Sequence, residues 1–190
     1  MKIKDVLIID GATRENGYTK KLINYLKENL DYENAKVYEV SKMSVSYCDG
    51  CNFCEENEKC KFRDLDDFFN DFENADLIVF ASPVYNGTFT APIKAVIDRF
   101  QVYYTYFYKN KKIQKIAKRR KAVLLSSSGR VGEKWLSHME EQLKYAFSVS
   151  NIEFSGSVLL NYTDTSPDIK KAKDEINQLI ERIVGNEKSI

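Results

Sequence analysis

Five short runs rich in Val, Ile, Leu and Phe punctuate the chain at residues 5–10, 36–40, 76–81, 121–126 and 153–160. Between them apolar residues recur every three or four positions. Runs of the first kind read as strands buried on both faces, and the second spacing as helices with one apolar stripe. Their alternation predicts a parallel sheet, because parallel strands need crossover connections and helices supply them. Leu22, Ile23, Leu26 and Leu30 mark a first helix, and Leu65, Phe68, Phe69 and Phe72 a second. Pro92 fits the first turn of a third, with Ile93, Val96, Ile97 and Phe100 along it, and a fourth runs from about Glu133 to Phe147. Ser166 and Pro167 read as the cap and first-turn proline of a fifth, which carries Ile169, Ile176, Ile180 and Ile183. The expectation is α/β: a doubly wound five-stranded parallel sheet with helices on both faces, one domain over 1–190. Ligands should bind beyond the carboxyl ends of the strands.

With 43% hydrophobic and 30% charged residues, the chain has the makeup of an ordinary globular domain. A formal net charge of +1 gives nucleic acid no support as a partner, since phosphate backbones ask for a basic face. No apolar run approaches a membrane span. Met1 to Asp5 lead straight into Val6, Leu7, Ile8 and Ile9, too short for a signal peptide's apolar region, so the expected address is cytoplasmic. Thiols stay reduced there.

The segments following the strands carry the unusual residues. After the first come Gly11, Ala12, Thr13, Arg14, Glu15, Asn16, Gly17, Tyr18 and Thr19, then a helix, so hydroxyls, an amide and an arginine gather at a helix amino terminus. That is anion-binding chemistry. The glycine spacing is wrong for a Walker A loop and there is no GxGxxG, so a single phosphate monoester held by backbone amides with Thr13, Arg14, Asn16 and Thr19 fits better. A plain capped turn explains the loop equally well. After the third strand, residues 82–92 combine Pro83, Val84, Tyr85, Asn86 and Gly87, a composition that can run past a flat ring. After the fourth, Ser127, Ser128 and Gly129 let backbone approach a ligand closely.

All four cysteines lie within residues 48–60, as Cys48-x2-Cys51-x2-Cys54-x5-Cys60. Three thiolates at three-residue steps on a tight loop can converge on one face, as an iron-sulfur cluster requires. Structural zinc usually takes two CxxC knuckles with a longer spacer, and Cys51 cannot serve both of its neighbours. Free thiols lining a pocket, or a redox pair, are the remaining readings.

Together these segments resemble the NADPH-dependent FMN reductase family and the related iron-sulfur flavoproteins, which are flavodoxin-like. The family's phosphate loop, Gly-Ser-x-Arg-x-x-Gly-x-Thr, is matched by Gly11, Arg14, Gly17 and Thr19, with Ala12 in place of serine. Its Ser-Pro-Val-Tyr loop and following Lys-x-x-x-Asp-Arg helix are matched by Ser82 to Tyr85 and by Lys94, Asp98 and Arg99. The resemblance implies that the first loop, including Gly17 and Tyr18, holds the phosphate of FMN. It implies that Pro83 to Gly87 pass the flavin ring, that Ser127 to Gly129 close its other side, and that no catalytic acid or base is needed. It also implies a 4Fe-4S cluster on Cys48, Cys51, Cys54 and Cys60 as one outcome for the cysteines. The implied activity carries electrons from NAD(P)H, or a reduced carrier such as ferredoxin, through flavin to a small acceptor such as a quinone or free flavin. A relay of single electrons between proteins and an FMN-binding redox sensor are the alternatives.

Two further stretches stand out. Ten acids lie between Asp49 and Asp76, and eight bases with no acid between Lys109 and Lys121. Such runs are usually solvated faces, and the sharper expectation is that the basic one receives the extra phosphate of NADPH or an acidic carrier protein. Tyr103, Tyr104, Tyr106, Phe107 and Tyr108 are more aromatic surface than a monomer usually exposes, which points to a homodimer or tetramer interface that also roofs the flavin. Neither Trp135 nor His138 is expected to act in catalysis.

Overall fold

The computed structural model describes residues 3–111 and 116–185. Strands β1 (Ile3–Asp10), β2 (Tyr32–Glu39), β3 (Leu77–Pro83), β4 (Arg120–Ser127) and β5 (Ile152–Leu160) form one sheet in the order β2-β1-β3-β4-β5. Every pairing is parallel. This is the flavodoxin-like arrangement, with its switch point where β1 stands between β2 and β3.

Side chains alternate across the central strands with the period of two that a pleat imposes. Leu7, Ile9, Ile78, Phe80, Ala122 and Leu124 enter one core. It is covered by α3 (Asp66–Asn74), α4 (Ala91–Arg99) and α6 (Glu133–Phe147) through Phe68, Phe72, Ile93, Val96, Met139 and Leu143. Val6, Ile8, Val79, Val123 and Leu125 enter the other, covered by α1 (Tyr18–Asn29) and α7 (Ile169–Gly185) through Leu22, Leu26, Ile176 and Leu179. No helix among the described residues is long and apolar enough to cross a membrane.

The structure departs from the sequence pattern in four places. β2 begins at Tyr32, four residues before the apolar run suggests, because this edge strand has no fully buried position and so carries polar residues along much of its length. Helix α7 buries Ala172, Ile176, Leu179 and Ile183, whereas Ile169 is exposed and Ile180 only half-buried. The cap of α7 is Asp168: its carboxylate accepts the Lys171 N–H at 2.9 Å, and Ser166 and Pro167 precede it. Two elements were not expected at all: α2 (Phe53–Asn57), inside the cysteine segment, and a continuation of α4 through α5 (Gln101–Tyr104) into a π-helical turn over Thr105–Lys109.

Charge and aromatic runs also resolve differently. Arg120 is fully buried, its guanidinium 4.8 Å from the centre of the Phe72 ring and donating to the carbonyls of Phe72 and Ser150. Lys118 pairs with Asp76, and Arg119 with Glu153 at 2.7 Å. Arg120 is thus removed from the basic face, while Lys118 and Arg119 stay exposed in ion pairs; positions 112–115 of that run lie outside the described residues. Tyr103 is a core residue that donates to Glu73 at 3.0 Å, while Tyr108 and Tyr145 stay exposed on either side of Tyr104.

Phe72, against Phe68, Phe100 and Tyr103, is the centre of the larger core. Phe72→Ala should cost about 3–5 kcal/mol in urea unfolding, because it leaves a cavity and uncovers the Arg120 guanidinium. A loss under about 1 kcal/mol would show that this face is loosely packed.

Candidate functional site

Strand register brings the carboxyl ends of β1, β3 and β4 level, with Asp10 opposite Ala81 and Pro83 opposite Ser127. The loops that leave them, with the one after β5, enclose a cavity of about 670 Å³.

Its floor is the first turn of α1. Gly17 is the cap and contributes no side-chain bond, and the first turn holds no acidic residue. Helix N–H groups in that turn lack intrahelical acceptors, and with no cap to satisfy them they favour an anion. Gly11 is required for close approach: a Cβ there would lie 2.4 Å from the Ile93 side chain. The loop between is held from several sides. Asp10 accepts the Ala12 N–H at 2.9 Å, Ser41 donates to the Ala12 carbonyl at 2.8 Å, and Lys42 pairs with Glu15 at 2.5 Å. Ala12, where the family pattern has serine, thus serves the loop through its backbone.

Buried hydroxyls tie the floor to the walls. The Thr19 and Ser127 hydroxyls bond at 2.7 Å, joining α1 to the end of β4. Ser126 donates to the Ser82 carbonyl at 2.9 Å, and Ser82 Oγ accepts the Thr90 N–H at 3.1 Å. At the mouth, Thr13 Oγ1 and the Tyr85 hydroxyl are 2.7 Å apart.

Of the residues singled out from sequence, Thr13, Arg14, Asn16, Gly17, Tyr18, Thr19, Pro83, Val84, Tyr85, Ser127 and Gly129 line this one cavity. Asn86, Gly87 and Ser128 are not among the lining residues. Asn86 (φ 50°) and Gly87 (φ 77°) instead form the left-handed corner of a tight hairpin closed by Tyr85 and Thr88. A Cβ on Gly87 would meet the Trp135 ring at 2.7 Å, so Trp135 serves as the hairpin's support. None of Tyr103 to Tyr108 lines the cavity. Thr163 and Asp164, which do, were missed. Their segment carries neither glycine nor phosphate-loop chemistry, and its one legible signal is its place after the last strand.

Beneath the loop, Lys20 bridges the buried Asp10 to Glu39, and Glu39 also takes Lys42 at 2.6 Å. Hydrogen bonds from Lys20 and then Lys42 pull the Glu39 carboxyl from 4.5 down to about 2.

The cysteines lie on a separate segment between Val45 and Asp64. Cys48, Cys54 and Cys60 are half-buried and Cys51 is exposed. Left-handed residues Gly50, Asn52 and Glu58 fold the segment back on itself around α2. Cys54 Sγ is 3.6 Å from the buried Thr105 hydroxyl. Among the described residues no three His, Cys, Asp or Glu side chains gather about one point, as a single zinc ion would need.

With fold and site in place, the kinship is clear: this chain belongs to the NADPH-dependent FMN reductase family, which matches residues 4–118. An iron-sulfur flavoprotein of Archaeoglobus fulgidus is 36% identical over 97 residues, covering 49% of this chain and 44% of that one. The chain spans about half the length of the curated relatives it matches. The FMN-dependent NADH-azoreductase of Bacillus anthracis, solved with FMN, superposes with a TM-score of 0.70 at 15% identity, over 95% of this chain and 99% of that one. The NAD(P)H:quinone oxidoreductase of Methanothermobacter marburgensis gives 0.66 at 15%, over 100% and 98%. At such identities the likeness is one of fold.

Glu39, with its depressed value, stabilises the fold above 4.5, and that contribution disappears as pH falls from 4.5 towards 2. Glu39→Gln should accordingly narrow its stability gap to the wild type over that interval in urea titrations. Partial exposure keeps the gap small. A gap that is constant with pH would mean that the lysine bridge does not hold this corner.

Proposed function

We propose that the cavity binds FMN and that the chain is a flavin-dependent oxidoreductase, taking electrons from NAD(P)H and delivering them to a small acceptor such as a quinone or free flavin. The uncapped amino terminus of α1, opening into a cavity beside Arg14 and the Tyr85 loop, carries this reading. A phosphate monoester suits the helix end, and Pro83, Val84, Tyr85 and Gly129 offer flat apolar and backbone surface to a ring. Bound FMN supplies the hydride- and electron-accepting chemistry. The protein's residues hold the phosphate, fix the loops that flank the ring, and join the cavity's floor to its wall through the Thr19–Ser127 bond.

A second reading has support of its own. The spacing of Cys48, Cys51, Cys54 and Cys60, and the iron-sulfur flavoprotein names of the relatives, favour a 4Fe-4S cluster on the folded-back segment and single-electron relay to a carrier such as ferredoxin. Iron and sulfide analysis after anaerobic purification decides the cluster. Steady NAD(P)H oxidation with a quinone, against rapid reduction by ferredoxin without it, decides between enzyme and relay. The cluster of half-buried Tyr104 with exposed Tyr108 and Tyr145 is the surface on which we place a homodimer or tetramer contact.

Flavin binding is tested directly by titrating FMN and riboflavin. Arg14→Gln should weaken FMN about tenfold or more, the worth of a charge-assisted hydrogen bond, and leave riboflavin unchanged. Equal losses for both flavins would displace Arg14 from the phosphate, and a wild-type chain that binds neither would end the reading.

A further inference from the structure

One buried guanidinium holds the segment that carries all four cysteines. Arg99, at the end of α4, is fully buried. Its Nη1 donates to the Ser46 carbonyl and to Asp64 Oδ1, each at 2.9 Å, and its Nη2 to the Phe62 carbonyl at 2.9 Å. The other oxygen of Asp64 accepts the Ser46 N–H at 2.6 Å. Ser46 precedes Cys48, and Phe62 and Asp64 follow Cys60, so both sides of the segment's neck close on one side chain. The guanidinium also lies 5.4 Å from the centre of the Phe62 ring.

Within the segment, Asp49 pairs with Lys61 at 2.5 Å and accepts the Cys51 N–H at 3.3 Å. Helix α2 buries no residue, so apolar packing contributes little to the segment. Its far end is tied by Thr105 to Cys54, by Lys109 to Glu55, and by the Asn110 side chain to the Glu55 carbonyl at 3.2 Å. The neck and these ties all belong to the arm that runs from α4 through the π-helical turn. The same helix supports the cavity at its other end, where Ile93 packs on Gly11 and Thr90 Oγ1 donates to the Gly11 carbonyl at 3.3 Å. From Ile93 to Arg99 is about 9 Å of helix rise.

We propose that Arg99 is the positioning residue of the cysteine segment: by clamping Ser46, Phe62 and Asp64 it holds the four thiols in one arrangement. This rests on the reading that the thiols work as a group, as cluster ligands or as redox-active cysteines. Lysine cannot replace Arg99, because a single ammonium does not reproduce the planar fork that reaches two carbonyls and a carboxylate.

The test uses the full chain, prepared anaerobically, as wild type, Arg99→Lys and Asp64→Asn. The second variant keeps the side chain's size and the Arg99 bonds to the Ser46 and Phe62 carbonyls while removing the carboxylate's charge, so it loosens the clamp by a different route and is measured even if Arg99→Lys does not fold. Iodoacetamide alkylation of each cysteine is followed by mass spectrometry in iron-free protein, with iron content and FMN affinity measured in parallel. Local opening at the neck should raise the rates at Cys48 and Cys60 about tenfold or more, leave the already exposed Cys51 unchanged, and lower any iron bound. FMN affinity should stay within about twofold, because the clamp lies outside the cavity. Unchanged rates at Cys48 and Cys60 in a folded variant overturn the proposal. So does FMN affinity that falls in step with the thiol rates, which would make Arg99 a general support of the fold. A wild type without iron removes the cluster reading alone, since the alkylation rates still decide the role of Arg99; a wild type without FMN binding removes the flavin reading alone.

Discussion

Parallel pairing of β3 to both β1 and β4 determines where chemistry can occur in this molecule. Because those three strands end level, the loops after them emerge side by side, and the crossover that sends β2 to the far side of β1 leaves a crevice between the first and third. A parallel sheet must be covered on both faces, so the helices that complete the two cores also fix the direction in which α1 points its amino terminus. That terminus faces the crevice. Everything assigned to flavin follows from this placement, and the buried hydroxyls of Ser82, Thr90, Ser126, Thr19 and Ser127 hold it by joining strand ends that have no apolar side chains left to pack.

Two buried arginines show how different work is drawn from one side chain. Arg120 lies at the opposite end of the sheet, where burial lowers its guanidinium to about 10 against the attraction of Tyr103 and Glu73. It stacks on Phe72 and satisfies two carbonyls of neighbouring turns, and its role ends with the core. Arg99 instead spans a core helix and a segment that has no core. Burial would push the Asp64 carboxyl up, but the Ser46 N–H and Arg99 outweigh it and hold it below the usual range. Removing one partner of such a group leaves a charge uncompensated, which is costly wherever water is excluded.

How much of this was legible beforehand depended on whether a signal was local. Buried strands announce themselves as apolar runs, and the phosphate loop as glycines and hydroxyls between a strand and a helix. Edge strand β2 was half hidden, since its first half carries exposed Glu33 and Asn34 beside a half-buried Tyr32. Arg120 was indistinguishable from its basic neighbours, because only tertiary context separates a buried cation from a solvated one. Asn86 and Gly87 gave a true turn signal, yet which way the turn faced was decided by Trp135, far along the chain. Thr163 and Asp164 had no composition to betray them; topology alone brings them to the cavity.

The cavity and the cysteine segment are ordered by different physics. Around the cavity each loop runs from a covered strand to a helix packed on the sheet. The cysteine segment has no apolar interior, and two non-glycine residues, Asn52 and Glu58, adopt left-handed backbone at a cost of order 1 kcal/mol or more each. Segments held by polar contacts alone open at free energies well below global unfolding. Thiols on such a segment keep a fixed arrangement only while their few anchors hold, and a group bound across all four would add the constraint that burial does not supply. The segment's order thus depends on the same arm that braces the cavity's first loop.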